Sequence, residues 1–246
     1  MLNDMTDSAK EKIILAVDAA DADSAARLLD PLVGHLRWAK IGLQLFTAEG
    51  PRIVRVVRER GLRIFLDLKF HDIPNTVREA MCSAVQLGVE MTTIHLVGGP
   101  RMVEAAVSAA GGETLVLGVT VLTSMDGEQL RATGVSSEPR EQVLALARMG
   151  ISVGLRGVVA SPQEIRALRK ELSDSMTIVT PGIRPAGADV GDQSRIATPA
   201  QAIADGASFL VIGRPISAAS DPLTAFLNIV GEIENSPSAC NAGNAR

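Results

Sequence analysis

Eight short runs of aliphatic and β-branched residues recur along the chain. Each is followed by polar or Gly/Pro punctuation and then by apolar residues at helical spacing. The runs cover residues 12–17, 36–41, 63–68, 91–95, 114–120, 154–160, 176–180 and 208–212. They are nearly continuous in hydrophobicity rather than alternating, as parallel strands covered on both faces should be. Strand followed by helix, eight times over, predicts a single α/β domain folded as a (β/α)8 TIM barrel. An open doubly wound sheet is the competitor, but no G-x-G-x-x-G follows the first run, where a dinucleotide fold carries it.

Local signals agree with this division. Ser161-Pro162-Gln163-Glu164 and Thr198-Pro199-Ala200-Gln201 both read as capping boxes with proline at the first helical position. Pro51 reads as the start of a helix that buries Ile53, Val54, Val56 and Val57. Gly61, Gly88, Gly150 and Gly206 fall between a helix and the next strand, where a left-handed residue ends a helix well. No linker or compositional shift divides the chain. The barrel is expected over residues 12–234, with tails at 1–11 and 235–246, the second rich in Asn, Ser, Ala and Gly.

Composition narrows the function classes. The 246 residues carry 24 Lys and Arg against 28 Asp and Glu, a net charge of 24 − 28 = −4, which disfavours a coat for nucleic acid. One Trp, no Tyr and 2% aromatics leave no platform for stacking bases. Cys82 and Cys240 cannot form a disulfide framework or a zinc cluster. The longest apolar stretches, such as 115–122, are too short to cross a bilayer, and the first residues hold no apolar signal region. A soluble, cytoplasmic protein with no membrane partner is expected.

Barrel chemistry sits at the C-terminal strand ends. There the sequence places Asp18, Lys40, Asp67, Lys69, Asp72, His95, Thr123, Arg184 and Arg214. Asp67 and Lys69 are two apart on one strand, so both should face the barrel mouth while Leu66 and Leu68 face the helices. With Lys40 one strand away, they would form an array of alternating charge in which each ion favours its neighbour's charged form. The bland alternative, a solvated D-x-K pair, does not account for Asp18, Lys40 and Asp72 at neighbouring strand ends. In the last two units, Gly182 and Gly213 admit an anion to the backbone, Arg184 and Arg214 offer guanidinium forks, and Gln193 lies in the intervening loop. Together these point to a phosphate site. His95 reads equally well as a structural hydrogen-bonding residue, His71 as a positioning neighbour, His35 as surface and Cys82 as packing. No His and carboxylate spacing suggests a metal, and no nucleophile elbow is present.

The segment Phe65-Leu66-Asp67-Leu68-Lys69-Phe70-His71-Asp72-Ile73-Pro74-Asn75-Thr76 resembles the signature of the orotidine 5′-phosphate decarboxylase family. The likeness extends through Ala16-Val17-Asp18, Lys40-Ile41-Gly42, Val121-Leu122-Thr123-Ser124, Pro181-Gly182-Ile183-Arg184, Asp192-Gln193 and Ile212-Gly213-Arg214. It implies that Lys69 is the proton donor in a network with Lys40, Asp67 and Asp72. Asp18 and Lys40 would contact ribose hydroxyls, Thr123 would lie beside the pyrimidine, and Arg184, Gln193, Gly213 and Arg214 would hold the phosphate. Asp72 and Thr76 would reach into the partner's site, making the active form a homodimer. Residues 183–197 would form a loop that closes on the phosphate.

The implied reaction removes CO2 from C6 of orotidine 5′-phosphate and yields uridine 5′-phosphate, the last step of pyrimidine nucleotide synthesis. It would use no cofactor and no metal, the protein's electrostatics replacing an electron sink. Two departures stand out: Leu96-Val97 after His95, where the family usually has a small residue, and Arg156 before Gly157-Val158-Val159, where the family often has Asp. The nearest rivals are magnesium-dependent sugar-phosphate decarboxylases and synthases of the same suprafamily, which carry an acidic ligand where this chain has Lys40. A phosphonucleotide-binding regulator without activity is a further alternative, but its mark would be a broken charge array.

Overall fold

A ring of parallel strands closes on itself in sequence order. The computed structural model describes residues 8–173, 175–185 and 196–235. The strands are β1 (Ile13–Val17), β2 (Trp38–Gly42), β3 (Arg63–Phe70), β4 (Met91–His95), β5 (Leu115–Val119), β6 (Gly157–Val159), β7 (Thr177–Thr180) and β8 (Phe209–Ile212). Pairing of β1 with β8, Ile13 opposite Leu210, completes the circle.

Helices cover the outside: α1 (Ala22–Leu29), α2 (Leu43–Glu49), α3 (Arg52–Arg58), α4 (Pro74–Gln86), α5 (Pro100–Ala110), α6 (Gly127–Ala132), α7 (Pro139–Ser152), α8 (Ile165–Glu171), α9 (Pro199–Ala204), α10 (Arg214–Ser217) and α11 (Pro222–Glu234). Proline opens α4, α5, α7, α9 and α11, at a position where its missing N–H costs no helical hydrogen bond. Asp21, Asp126 and Asp221 cap helix starts by accepting from backbone N–H groups two or three residues on.

The near-continuous hydrophobicity of the strands has a direct structural counterpart. Ile13, Leu15, Val17, Ile41, Ile64, Leu66, Ile94, Val158, Ile178, Leu210 and Ile212 point outward into one core shared with the helices. Ile14, Trp38, Phe65, Met91, Leu117, Val179 and Val211 point inward and fill the barrel. Each such fully buried side chain contributes about 1.5–3 kcal/mol relative to exposure. The floor is closed by Trp38, which meets Phe209 edge-on at 5.4 Å and carries the Arg63 guanidinium 4.4 Å above its ring. Arg63 also pairs with Glu11.

Several sequence expectations need correction. The runs at 36–41 and 154–160 contract to Trp38–Gly42 and Gly157–Val159, because Leu36 and Leu155 are buried in the outer core before their strands begin. Gly150 lies inside α7, packed on Leu155 and Leu96, and the left-handed residue before β6 is Gly154. The 161–164 segment forms a single 3-10 turn, and the Ser161 hydroxyl meets the Glu164 carboxylate instead of capping an amide. At 198–201, Thr198 does accept from the Gln201 N–H, but the Gln201 side chain donates to Asp205. Val56 and His35 are half-buried.

Candidate active site

The mouth of the barrel holds a cavity of about 530 Å³, within the range that takes a small-molecule ligand. Its floor is Phe65, Ala16, Val159 and Val211, the top of the inner core, so the ligand's reacting end would rest on a dry surface. Asp18, Lys40, Asp67 and Lys69 line one side; Pro181, Gly182, Arg184, Gly213 and Arg214 line another; Val121, Leu122 and Thr123 complete the wall.

The charged side is organised by three strands. Lys40 stands level with Phe65 in the β2–β3 register, and its long stem carries Nζ upward to 3.4 Å from Asp67 Oδ2 and 3.9 Å from Asp18 Oδ1. Lys69 Nζ donates to the other carboxylate oxygen, Asp67 Oδ1, at 2.8 Å. Asp67 thus holds one cation on each oxygen, and its side chain is only 12% exposed. Burial pushes this carboxyl upward, but Lys40, Lys69 and hydrogen bonds from Lys69 and Thr93 outweigh it and hold the group below its ordinary value. It is the anion in an ion array that a bound ligand would further dry. Asp18 remains 62% exposed at the rim. A Cβ at Gly42 would stand 3.1 Å from Lys40 Nζ, so any larger residue there would press on the ammonium and shift it by a few tenths of an ångström.

Alternation along β3 does bring Asp67 and Lys69 inward and Leu66 and Leu68 outward, but not by a regular strand. Between Leu66 and Phe70 the register shifts: these four steps of β3 span the two steps from Thr92 to Ile94 in β4. Lys69 adopts φ 52°, the one left-handed non-glycine conformation among the described residues, and its N–H donates to the Thr93 hydroxyl at 2.8 Å. Such a conformation costs about 1–2 kcal/mol and persists where its surroundings impose it. Thr93 was not singled out from the sequence. Its position two before His95, on the same inward face of β4, is the signal that could have found it.

Arg184 is buried and donates to the Ile183 carbonyl at 2.9 Å, while Arg214 begins α10 at the exposed rim. Gly213 lies beside Ala16 and Asp18, and a Cβ there would be in ordinary contact with them, 3.4 Å from Ala16 Cβ. Gln193 and most of the 183–197 loop lie outside the described residues. Asp72 and Thr76 do not line the cavity of their own chain. They are exposed at the end of β3 and start of α4, beside Ile73, which is 67% exposed. His71 and His95 have their rings 5.7 Å apart, next to a second, largely apolar cavity. Burial, then His71 and Lys69, hold His95 below its ordinary value against the pull of Asp67. Arg156 is exposed at the start of β6, at the opposite end of the barrel from the mouth. Among the described residues, no three or more His, Cys, Asp or Glu side chains are grouped to hold a metal ion.

Comparison with known proteins gives a consistent picture. The model of the orotidine 5′-phosphate decarboxylase / HUMPS family matches residues 11–229. The orotidine 5′-phosphate decarboxylase of Moorella thermoacetica is 50% identical over 235 residues, covering 92% of this chain and 93% of that one. The enzyme of the same name from Opitutus terrae is 49% identical over 226 residues, covering 91% and 98%. Among solved structures, orotidine 5′-phosphate decarboxylase from Lactobacillus acidophilus superposes with a TM-score of 0.80 at 35% identity, covering 91% of this chain and 99% of that one.

Proposed function

This chain belongs to the orotidine 5′-phosphate decarboxylase / HUMPS family and converts orotidine 5′-phosphate to uridine 5′-phosphate, and we propose that it does so without cofactor or metal, through the Lys40–Asp67–Lys69 ion array. The carrying observation is that one nearly buried carboxylate holds two ammonium groups at 2.8 and 3.4 Å at the side of the barrel mouth, above its apolar floor. Loss of CO2 leaves an electron pair at C6 in the plane of the pyrimidine, where the ring cannot delocalise it. An ammonium fixed beside C6 stabilises that pair as it forms and then delivers the proton. Lys69 is the group we assign to this step, Asp67 and Lys40 fix its position, and Asp72 of the partner subunit extends the array.

The remaining assignments follow the shape of the cavity. Asp18 and Lys40 take the ribose hydroxyls at the rim, Thr123 lies beside the pyrimidine, and Arg184, Arg214, Gly213 and Gln193 hold the phosphate. The two ends serve different purposes: the phosphate does not react, so its contacts can position the base for the step at C6. We read residues 12–234 as the catalytic domain and the enzyme as cytoplasmic. A water-borne nucleotide substrate supports this reading; no helix among the described residues is long and apolar enough to cross a membrane.

The magnesium-dependent alternative within the family is disfavoured by Lys40, whose ammonium occupies the place of an acidic ligand and repels a divalent cation. Enzyme dialysed against EDTA is therefore expected to keep its full rate of orotidylate consumption, followed by ultraviolet absorbance. A loss reversed by Mg²⁺ would overturn the metal-free reading.

The exposed Asp72, Ile73 and Thr76 support a homodimer in which each subunit completes its partner's site. Lys69→Ala and Asp72→Ala enzymes, each nearly inactive alone, should then restore activity when mixed and allowed to exchange subunits. In a mixed dimer, the site on the Asp72→Ala chain has its own Lys69 and receives Asp72 from the partner. Random pairing of equal amounts predicts about a quarter of wild-type activity, since half the dimers carry one intact site. No recovery in demonstrably exchanged dimers would place Asp72 outside the partner's site.

A further inference from the structure

The geometry points to Thr93 as a positioning residue for the decarboxylation, one that sets both the backbone of Lys69 and the orientation of Asp67. The inference rests on the assignment of Asp67 and Lys69 to the reacting centre. Thr93 is fully buried at the middle of β4, pointing into the barrel. Its hydroxyl accepts from the Lys69 N–H at 2.8 Å and donates to Asp67 Oδ1 at 3.0 Å, so a single oxygen ties together the two residues of the ion array that β3 supplies. The neighbouring Thr92 is also fully buried, yet its hydroxyl donates to the Leu66 carbonyl on the outer face and touches neither ion.

Two consequences follow from hydrogen-bond arithmetic. A hydroxyl has one proton, and here that proton goes to the carboxylate, so the N–H that needs an acceptor receives a lone pair of the same oxygen. That N–H lies where the β3–β4 register shifts, and the Thr93 oxygen takes the place of a ladder carbonyl for a residue at φ 52°. Asp67 Oδ1, meanwhile, accepts from both Thr93 and Lys69 Nζ, leaving Oδ2 toward Lys40. Without the hydroxyl, the carboxylate can rotate about its bond to Cβ and the Lys69 backbone loses the contact at its left-handed turn. Both changes displace Nζ, and misplacing a reacting group by about 1 Å can cost about 10²-fold in rate.

Thr93→Val keeps the shape and the β-branch and removes only the hydroxyl; Thr93→Ser keeps the hydroxyl and removes the methyl. In the dimeric enzyme, Thr93→Val is expected to lower kcat about 10- to 100-fold while KM for orotidylate and the affinity for uridine 5′-phosphate change less than about threefold. Thr93→Ser should recover kcat to within about threefold of wild type. A second readout is the acidic limb of the kcat profile. The titratable groups around Asp67 are Lys40 from β2, Lys69 on its own strand, Asp18 after β1, His95 at the end of β4 and, in the proposed dimer, Asp72 of the partner subunit. Removing a hydrogen bond that favours the ionised carboxyl raises its pKa, so this limb should move to higher pH in Thr93→Val and stay in place in Thr93→Ser. A role confined to folding would lower the melting temperature without moving the limb.

The inference fails if Thr93→Val has wild-type kcat, if its loss lies in KM, or if Thr93→Ser is equally impaired. If Lys69→Ala is fully active, it is the underlying assignment of the reacting centre that has failed. If Lys69→Ala is inactive and Thr93→Val normal, only the role of Thr93 is overturned.

Discussion

Lys69→Ala should lower kcat by about five orders of magnitude and leave binding of uridine 5′-phosphate within about tenfold of wild type. The magnitude combines two losses. An electrostatic donor to a developing anion is typically worth 10²–10³ in rate, and a positioned acid about 10²–10⁴. Five decades correspond to about 7 kcal/mol of transition-state stabilisation. The product has no charge at C6 and gains little from the ammonium, so its affinity is a control that separates lost chemistry from a collapsed site. Backbone conformation provides a second control. Lys69 stands at φ 52°, so glycine is tolerated there better than alanine. Lys69→Gly should thus be about as inactive as Lys69→Ala but more stable by about 1 kcal/mol in urea unfolding. Near-normal kcat in either variant would refute the mechanism.

Arg214→Ala should reduce kcat/KM for orotidylate by about 10²–10⁴, from loss of a charge-assisted fork of roughly 3–5 kcal/mol on the phosphate. The guanidinium begins α10 at the rim, across the cavity from Lys69, so the loss arises far from the reacting carbon. Two features identify its origin. Guanidinium ion added to the assay should restore part of the activity by occupying the vacated place. Orotidine, which lacks the phosphate, should react equally slowly with both enzymes. If Arg214→Ala retains its kcat/KM for the phosphorylated substrate, the phosphate is held elsewhere.

Much of the architecture is legible in residue order because a barrel strand must be apolar on both faces. Runs such as Ile13–Val17 and Met91–His95 then stand out from the amphipathic helices that follow them. Strand ends are less legible: Leu36 and Leu155 are as hydrophobic as any strand residue but pack in the connections. The ion array was readable because Lys40, Asp67 and Lys69 would be costly in a barrel unless they met one another. The left-handed turn at Lys69 was not readable, since lysine gives no sign of it and the cause lies in the β3–β4 register. Thr93 stayed hidden for a related reason. In a buried strand a threonine reads as a good strand former, and the adjacent Thr92 is one whose hydroxyl serves only a backbone carbonyl.

Trp38 lies at the pole opposite the chemistry, wedged between Phe209 and the Arg63 guanidinium, and it is the chain's single tryptophan. Arg63 pairs with it directly across the β2–β3 register, whereas Phe209 at the start of β8 reaches it only when β8 has closed on β1. Indole fluorescence in this enzyme is therefore a native gauge of barrel integrity, separated by the packed interior from whatever occupies the mouth.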